Sequence, residues 1–171
     1  MHALADFIDL ERYPLDQLKA SVGNTLIQSC QAMMREQAIC ALTGFLKPAL
    51  LQAISDEVAN LESTMRRVDF PATPYGWLQN SGFSEHHPRS RLFDRRCGVL
   101  TRDQLNPNGL CVRLFQIPEL TEIVGQLLGY ESLFYSACPN ISVRLNIMQQ
   151  DDEFGWHYDT NDGAVSLVLQ T

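Results

Sequence analysis

The stretch ISVRLNIM, at residues 141–148, decides how the rest of this chain is interpreted. Apolar and polar side chains alternate along it, which is typical of a β-strand with one buried face. The apolar face holds Val143, Leu145 and Ile147, and the polar face holds Arg144, Asn146 and Met148. The stretch therefore predicts a strand that packs on a core with one side and presents polar groups with the other.

The chain that follows this strand carries a short motif with ligand chemistry. An acidic turn over residues 149–155 leads into an extended stretch, a turn at 160–163 and an apolar strand at 164–170. His157 and Asp159 lie two positions apart in the extended stretch, so their side chains share a face. One nitrogen and one oxygen ligand form two corners of a 2-His-1-carboxylate facial triad, which is typical of non-haem Fe(II) oxygenases. The same tripeptide also fits a surface histidine beside a solvated aspartate.

Upstream of the strand the pattern is helical. Apolar residues spaced three and four apart predict helices over about 15–36, 48–67 and 118–128. Gly129 ends the last of these helices. A short strand is predicted between 38 and 46. Residues 69–108 show no sustained period and predict long loops with a functional role. Helices come first and strands follow, so we expect an α+β fold.

Length and composition limit the class of protein. The chain has 171 residues, 45% of them hydrophobic, with 13 basic and 20 acidic side chains and a net charge of −7. We expect one domain over 1–171, with a helical and loop part at 1–138 and a β core that starts at 139. The acidic balance argues against nucleic acid or an anionic membrane as partner.

The cysteines and the first residues of the chain bear on the cellular compartment in which the protein works. The five cysteines are never closer than ten residues, no metal-binding Cys or Cys/His spacing is present, and residues 1–12 do not read as a signal peptide. We therefore expect a cytoplasmic protein with free thiols and no membrane-spanning segment.

Residues 140–170 resemble the Fe(II)/2-oxoglutarate-dependent oxygenases, in the branch that contains free-amino-acid halogenases and their hydroxylase relatives. The resemblance lies in VRLNIM at 143–148, EFGWHYDTN at 153–161 and AVSLVLQ at 164–170. The segment EHHPR at 85–89 and the helix-strand-helix start are similar too. The resemblance implies N-terminal helices packed on a double-stranded β-helix, or jelly roll.

The resemblance also implies an oxidoreductase, a dioxygenase whose metal ligands and catalytic residues are His157 and Asp159. Its cofactors would be Fe(II), 2-oxoglutarate as co-substrate, and O₂. Asp159 stands where halogenases of this type have Gly or Ala, so the resemblance points to hydroxylation of a small polar molecule such as an amino acid or its derivative. Asn146 and Arg144 would face the co-substrate. Their alternative role is a structural hydrogen-bonded pair in the sheet.

The sequence departs from the family pattern because it lacks two of the residues that bind iron and the co-substrate in the family. The second iron-binding histidine and the cation that grips 2-oxoglutarate lie downstream in the family, whereas this sequence has no His after His157 and no Arg after Arg144. We expect the β-helix to be incomplete at the C-terminus and the 171-residue chain alone to bind metal weakly without turnover. The alternative is a non-catalytic remnant or interaction module of the same fold. A cupin-like metal enzyme is a weaker third possibility, because the sequence offers few histidines.

Substrate contacts are expected from two places. Trp156 and Tyr158 flank the metal-binding motif and would shape the pocket or pack behind it. His87 and Arg89 belong to a loop with a cluster of arginines at 89, 91, 95 and 96, which suits a carboxylate clamp or a lid. The alternative for this cluster is a solvated loop whose arginines pair with nearby acids. The adjacent histidines at 86 and 87 are poor joint metal ligands, because neighbours on an extended chain point apart.

Overall fold

A computed structural model of the chain describes residues 3–76, 82–134, 136–138, 140, 142–159 and 164–169. The helices and strands in chain order are α1 (Ala3–Phe7), α2 (Ser21–Gln37), α3 (Pro48–Ala59), β1 (Arg66–Ala72), β2 (Phe93–Thr101), α4 (Leu110–Phe115), α5 (Pro118–Leu128) and β3 (Arg144–Ile147). Short 3₁₀ turns lie at Leu15–Gln17, Glu62–Thr64, Pro88–Ser90 and Arg102–Gln104. Helix and sheet are therefore mixed. Within the described residues, none of these helices is long and apolar enough to cross a membrane.

The sheet has three antiparallel strands in the order β1-β2-β3. Leu100 of β2 lies opposite Leu145 of β3, and both are buried in the core. Directly opposed residues share a face, so the other side carries Arg95, Cys97 and Val99 of β2 together with Asn146 and Arg144 of β3. We call this second side the Arg95 face. The expected double-stranded β-helix is not shown by this small sheet.

One hydrophobic core joins the core face of the sheet to the helices. Its fully buried members include Phe7, Ile54, Leu100, Val112 and Ile123, which come from α1, α3, β2, α4 and α5. Burial of one such side chain stabilises the fold by roughly 1.5–3 kcal/mol. The predicted inner face of β3 is confirmed, because Val143 and Leu145 are buried in this core while Arg144 and Asn146 are exposed.

The helix predicted from residue 15 begins later, at Ser21, after a 3₁₀ turn at Leu15–Gln17. Gly23 explains the break, because a Cβ at this position would lie 2.2 Å from the Gln17 carbonyl oxygen. The turn therefore packs directly on the first turn of α2 instead of continuing it. The helix predicted at 118–128 is confirmed, and Gly129 ends it in the left-handed region with φ of 77°.

Two predictions for the middle of the chain are wrong. The helix that starts at Pro48 ends at Ala59, and the region predicted as loops contains most of β1 and all of β2. β1 is largely exposed on both faces, and four consecutive residues of β2, Cys97–Leu100, are buried. Neither arrangement produces alternation in the sequence, so the period-two signal is absent.

The short strand predicted at 38–46 is reduced to one bridge, between Leu46 and Ile8. Of the strand predicted at 164–170, residues 164–169 are described and are not part of the sheet. The predicted turn at 160–163 and residue 170 lie outside the described residues.

Candidate functional site

The segment that carries His157 and Asp159 runs along the free end of β2. Arg96 donates its backbone N–H to the Glu153 carbonyl at 2.7 Å, and Gly155 donates to the Asp94 carbonyl at 3.0 Å. Between them, Phe154 forms an antiparallel bridge with Arg95. Glu153–Gly155 thus uses the same edge of β2 as β3 does, a few residues further along. Beyond it, Tyr158 donates its N–H to the Pro74 carbonyl at 2.7 Å, next to the end of β1.

Gly155 permits this close approach. A Cβ on Gly155 would lie 2.5 Å from the Phe93 Cβ and 2.9 Å from the Asp94 carbonyl oxygen. Both neighbours belong to β2, so they cannot move aside as a flexible side chain would. Only glycine allows the backbone of this segment to reach β2.

His157 and Asp159 face each other, as the i, i+2 spacing predicts. His157 Nε2 lies 3.5 Å from Asp159 Oδ1, and the two side chains are 27% and 55% exposed. The other ring nitrogen, Nδ1, lies 2.9 Å from the Gly155 carbonyl oxygen. With Nδ1 as the donor to this carbonyl, Nε2 keeps its lone pair on the side of the carboxylate. A histidine that binds a metal is usually oriented in this way.

Aromatic rings and a cation border the pair. The Phe154 ring meets the His157 ring edge-on, with centroids 4.6 Å apart. The Arg95 guanidinium carbon lies 4.6 Å from the centroid of the same Phe154 ring. Because Arg95 and Phe154 are directly opposed, the His157 ring is packed on the side of the Arg95 face.

An ion pair fixes the turn before the motif. Asp152 accepts hydrogen bonds from the Arg67 guanidinium, at 2.8 Å to one oxygen, and from the Gln149 N–H at 2.8 Å. The Asp152 side chain is 5% exposed and the Arg67 side chain is 40% exposed. The hydrogen bonds from Arg67 and then from Gln149 lower the pKa of the Asp152 carboxyl from 3.8 to about 2. The motif is therefore tied to β1 as well as to β2.

Arg144 and Asn146 bind each other on the exposed side of β3. The Arg144 Nε–H donates to Asn146 Oδ1 at 3.1 Å. Asn146 pairs with Val99, four residues along β2 from the Arg95 that pairs with Phe154. This separation is roughly 13 Å at about 3.3 Å per residue. The structure places Arg144 and Asn146 on the face that carries His157, but it does not bring them beside the histidine.

His87 and Arg89 join the motif through an aromatic chain. The Arg89 guanidinium lies 4.8 Å from the Tyr75 ring centroid and 5.3 Å from that of Phe83. Tyr75 in turn stacks on Tyr158 at 5.1 Å. His87 Nδ1 accepts the Arg89 backbone N–H at 3.1 Å. These loop residues are thus connected to the motif through Tyr158 rather than through the His157–Asp159 pair itself.

The remaining expected site residues differ in environment. Tyr158 packs on Tyr75, whereas Trp156 is 83% exposed. Of the arginine cluster, Arg96 lies 3.6 Å from Asp94, as expected for pairing with a nearby acid, and Arg91 stacks on Phe93. A cavity of about 540 Å³ lies elsewhere, against α5, and its lining of Phe115, Glu122, Tyr130 and Phe134 among others includes none of the residues expected to bind iron or co-substrate.

Sequence reasoning missed four residues that build the site. Phe154 and Tyr75 provide ring contacts, Gly155 allows the approach to β2, and Asp152 holds the turn. Only Asp152 and Gly155 could have been identified from the sequence, because Asp152 lies in the acidic turn and Gly155 is a glycine that closely precedes His157. The ring contacts depend on β1 and β2, which the sequence pattern did not reveal.

The donor set at the pair is incomplete for a metal centre. In the part of the chain that the structure describes, no group of three His, Cys, Asp or Glu side chains is placed to hold a metal ion.

Comparison of the chain with protein-family models, with curated proteins and with solved structures finds no match.

Proposed function

We propose that this chain supplies His157 and Asp159 to the Fe(II) centre of a 2-oxoglutarate-dependent dioxygenase that hydroxylates a small polar substrate, such as an amino acid or its derivative. The observation that carries the proposal is the preset pair. His157 Nε2 lies 3.5 Å from Asp159 Oδ1, with Nδ1 held at the Gly155 carbonyl. Two ligands at right angles on an octahedral ion lie about 3 Å apart, so a small rotation of either side chain suffices.

The chemistry of the donors fits the metal. A neutral imidazole and a carboxylate are two of the three ligands of the facial triad that holds non-haem Fe(II) and leaves positions open. With co-substrate and O₂ bound, such a centre supplies oxidative decarboxylation of 2-oxoglutarate coupled to hydroxylation. The chain's own contribution is orientation, because Gly155 fixes the imidazole and Phe154 covers its ring edge.

The third ligand would come from protein outside the described residues. A facial triad needs a second histidine, and the described residues bring none to the pair. We therefore expect the 171-residue chain by itself to bind a divalent metal weakly and not to turn over.

Other residues are proposed for the co-substrate and the substrate. Arg144 and Asn146 are proposed for the co-substrate, from the Arg95 face, and their hydrogen bond with each other is also the bond that the alternative role, a structural pair in the sheet, requires. His87, Arg89 and Tyr158 would contact the substrate, because one aromatic chain joins the loop to the motif. Trp156 is proposed for the same role, since it is exposed beside His157.

The first test measures metal binding under anaerobic conditions. Co(II) is added to the chain while the histidine ring signals are followed by NMR. We expect the His157 signals to broaden before those of His86 and His87, and His157→Ala to remove the effect. His86→Ala is the matched control, because His86 also has a carboxylate neighbour, with Nε2 3.4 Å from Glu85 Oε1. Equal broadening of all histidines would show that the pair is no preferred site.

The second test concerns the co-substrate. Fe(II) and 2-oxoglutarate are added to saturation without O₂, and we expect a weak visible charge-transfer band that His157→Ala abolishes. A band that survives in His157→Ala contradicts the assignment of the ligand. Once protein that carries the third ligand is also present, the absence of any band contradicts the dioxygenase and favours a binding or interaction module.

A further inference from the structure

The cavity of about 540 Å³ beside α5 contains none of the residues proposed for the iron site. One wall belongs to α5, from Pro118 to Gln126, and another is the segment that follows the helix, from Tyr130 to Phe134. Phe115, the last residue of α4, also lines it. The volume lies in the range of about 300–1,000 Å³ that is typical of sites for small molecules.

The backbone after α5 holds the two walls together. Gly129 ends the helix in the left-handed region and donates its N–H to the Gln126 carbonyl at 3.2 Å. Tyr130 then donates its N–H to the Gly125 carbonyl at 2.9 Å, which turns the chain back along the helix. The returning segment touches α5, because a Cβ placed on Gly125 would lie 3.4 Å from the Leu133 Cβ. The shape of the cavity is therefore set by backbone contacts.

The charges that border the cavity are acidic. Glu122 and Glu131 line it, and its lining among the described residues contains no Lys, Arg or His. Glu122 Oε1 accepts a hydrogen bond from Gln126 Nε2 at 3.3 Å, which leaves the charge of the carboxylate uncompensated. None of the ion pairs between described residues includes either glutamate. The sequence has the same bias, since residues 114–143 contain three glutamates and no basic residue.

The end of α5 adds to this negative potential. Glu131 comes just after the C-terminal end of the helix, where the macrodipole is negative. An acid is disfavoured at such an end and a cation is favoured. A cation in the cavity would therefore be attracted by the helix end as well as by the two carboxylates.

Aromatic rings supply a second feature that selects a cation. Phe115, Tyr130 and Phe134 line the cavity, and Phe134 is 86% exposed. The face of an aromatic ring attracts a cation within about 6 Å of its centroid, and methylated ammonium groups are bound in this way. We propose that the cavity beside α5 binds a small organic cation with a methylated ammonium group, between these rings and the carboxylates of Glu122 and Glu131.

The mixture of rings and acids favours a methylated ammonium over a primary one. A primary ammonium is compact and strongly hydrated, so it loses much hydration against apolar walls. A methylated ammonium presents apolar methyl groups to the rings, and to Pro118 and Leu133, while it keeps its positive charge. The carboxylates then act through charge and need not donate or accept a hydrogen bond.

The experiment titrates the chain with choline while its backbone amide signals are followed by NMR. We expect saturable shifts at residues 130–134 and along α5. The matched ligand is the neutral analogue of choline in which carbon replaces the ammonium nitrogen. Because it has the same shape without the charge, it should bind at least about 10-fold more weakly.

Three variants assign the binding to the walls of the cavity. Phe134→Ala should weaken choline binding by about 2- to 30-fold, the range of one cation–π contact. Glu131→Gln should weaken it by about 2- to 5-fold, as for an exposed pair of charges. Glu119→Gln is the matched control, because Glu119 belongs to the same helix but does not line the cavity. It removes the same charge from the chain and should leave the affinity unchanged.

Several outcomes would overturn the assignment. Choline may produce no saturable shift, or its neutral analogue may bind as tightly, which would make the cavity a site for neutral ligands. Equal losses in Glu119→Gln and Glu131→Gln would reduce the attraction to general surface charge. Shifts at residues 155–159 in place of 130–134 would put the cation at the proposed iron site. Since Phe134 is 86% exposed, Phe134→Ala should keep its other amide signals, which confirms that this variant is folded.

Discussion

Two histidine–carboxylate pairs in this molecule have nearly the same distance and very different surroundings. His157 Nε2 and Asp159 Oδ1 are 3.5 Å apart, and His86 Nε2 and Glu85 Oε1 are 3.4 Å apart. The His86 and Glu85 side chains are 90% and 86% exposed. The His157 ring is mostly covered, has a backbone acceptor at its second nitrogen and touches an aromatic ring.

The two pairs share a distance but differ in how firmly their side chains are held. An exposed pair loses side-chain entropy when it is ordered, and solvent screens its attraction. At His157 the backbone already selects the tautomer and the ring orientation, so less remains to be ordered when a metal binds. The preorganisation resides in residues behind the pair. Each of these supports can be removed by a single substitution.

The largest effect is expected from Gly155→Ala. The added Cβ meets Phe93 and Asp94 at the distances of a clash, so the segment must leave β2 and take the His157 acceptor with it. We expect Co(II) affinity at His157 to fall by about 10- to 100-fold, the range found when a metal ligand loses its outer support. Ser84→Ala, two residues before His86, is the control and should change nothing. Unchanged affinity in Gly155→Ala would mean that the contact with β2 is irrelevant to the pair.

A smaller effect is expected from Asp152→Asn, and it depends on pH. The pKa of Asp152 is lower in the folded chain than its ordinary 3.8, so the folded state binds fewer protons than the unfolded state. The ion pair with Arg67 therefore stabilises the fold above about pH 4, and this contribution is lost as pH falls toward about 2.

Denaturant titrations over this pH range measure the effect. Asp152→Asn should be less stable than the native chain at neutral pH and should lose less stability between about pH 4 and about pH 2. Glu85→Gln, at the exposed pair, should follow the native profile. A native profile that is already flat in this range would contradict the role of the ion pair.

The smallest effect is expected from Arg95→Gln. This change removes the cation over the Phe154 ring, a contact worth about 0.5–1 kcal/mol at a partly exposed site. We expect a loss of this size in the free energy of unfolding, measured in urea, and a weakening of Co(II) binding of about fivefold at most. Arg91→Gln, which removes the cation over Phe93, is the matched variant and should leave Co(II) affinity unchanged. Equal effects of the two variants on Co(II) binding would show that the packing of Arg95 on Phe154 does not help to hold the His157 ring.

The sequence predicted the parts of the fold in which local pattern and burial coincide. α5 and its end at Gly129 were predicted because one face of that helix is apolar and a glycine follows it. The inner face of β3 was predicted because Val143 and Leu145 meet the core while their neighbours meet solvent. The same spacing rule predicted that His157 and Asp159 share a side.

The rest of the fold could not be predicted because long-range packing decides it. β2 is covered on both faces at Cys97–Leu100, so it lacks the alternation that marks a strand. β1 contains Pro71 and exposed charges, which an edge strand tolerates and a sequence pattern assigns to loops. The supports of the site at Phe154 and Gly155 depend on β2, so they were missed together with it.

Two segments pair with the same edge of β2: β3, and the short stretch around Phe154. The chain that connects these two segments is longer than the part of β2 that lies between their pairing positions. Gly98 pairs with Ile147 and Arg95 with Phe154, so residues 148–153 span what residues 96 and 97 span on β2. The surplus forms a turn in which Asp151 adopts a φ of 66° and the Asp152 N–H closes on the Gln149 carbonyl. The pairing of Phe154 with β2 therefore fixes the position of His157, and the register of β3 does not. A residue inserted between Gln150 and Asp151 would enlarge the turn without shifting the register on either side of it.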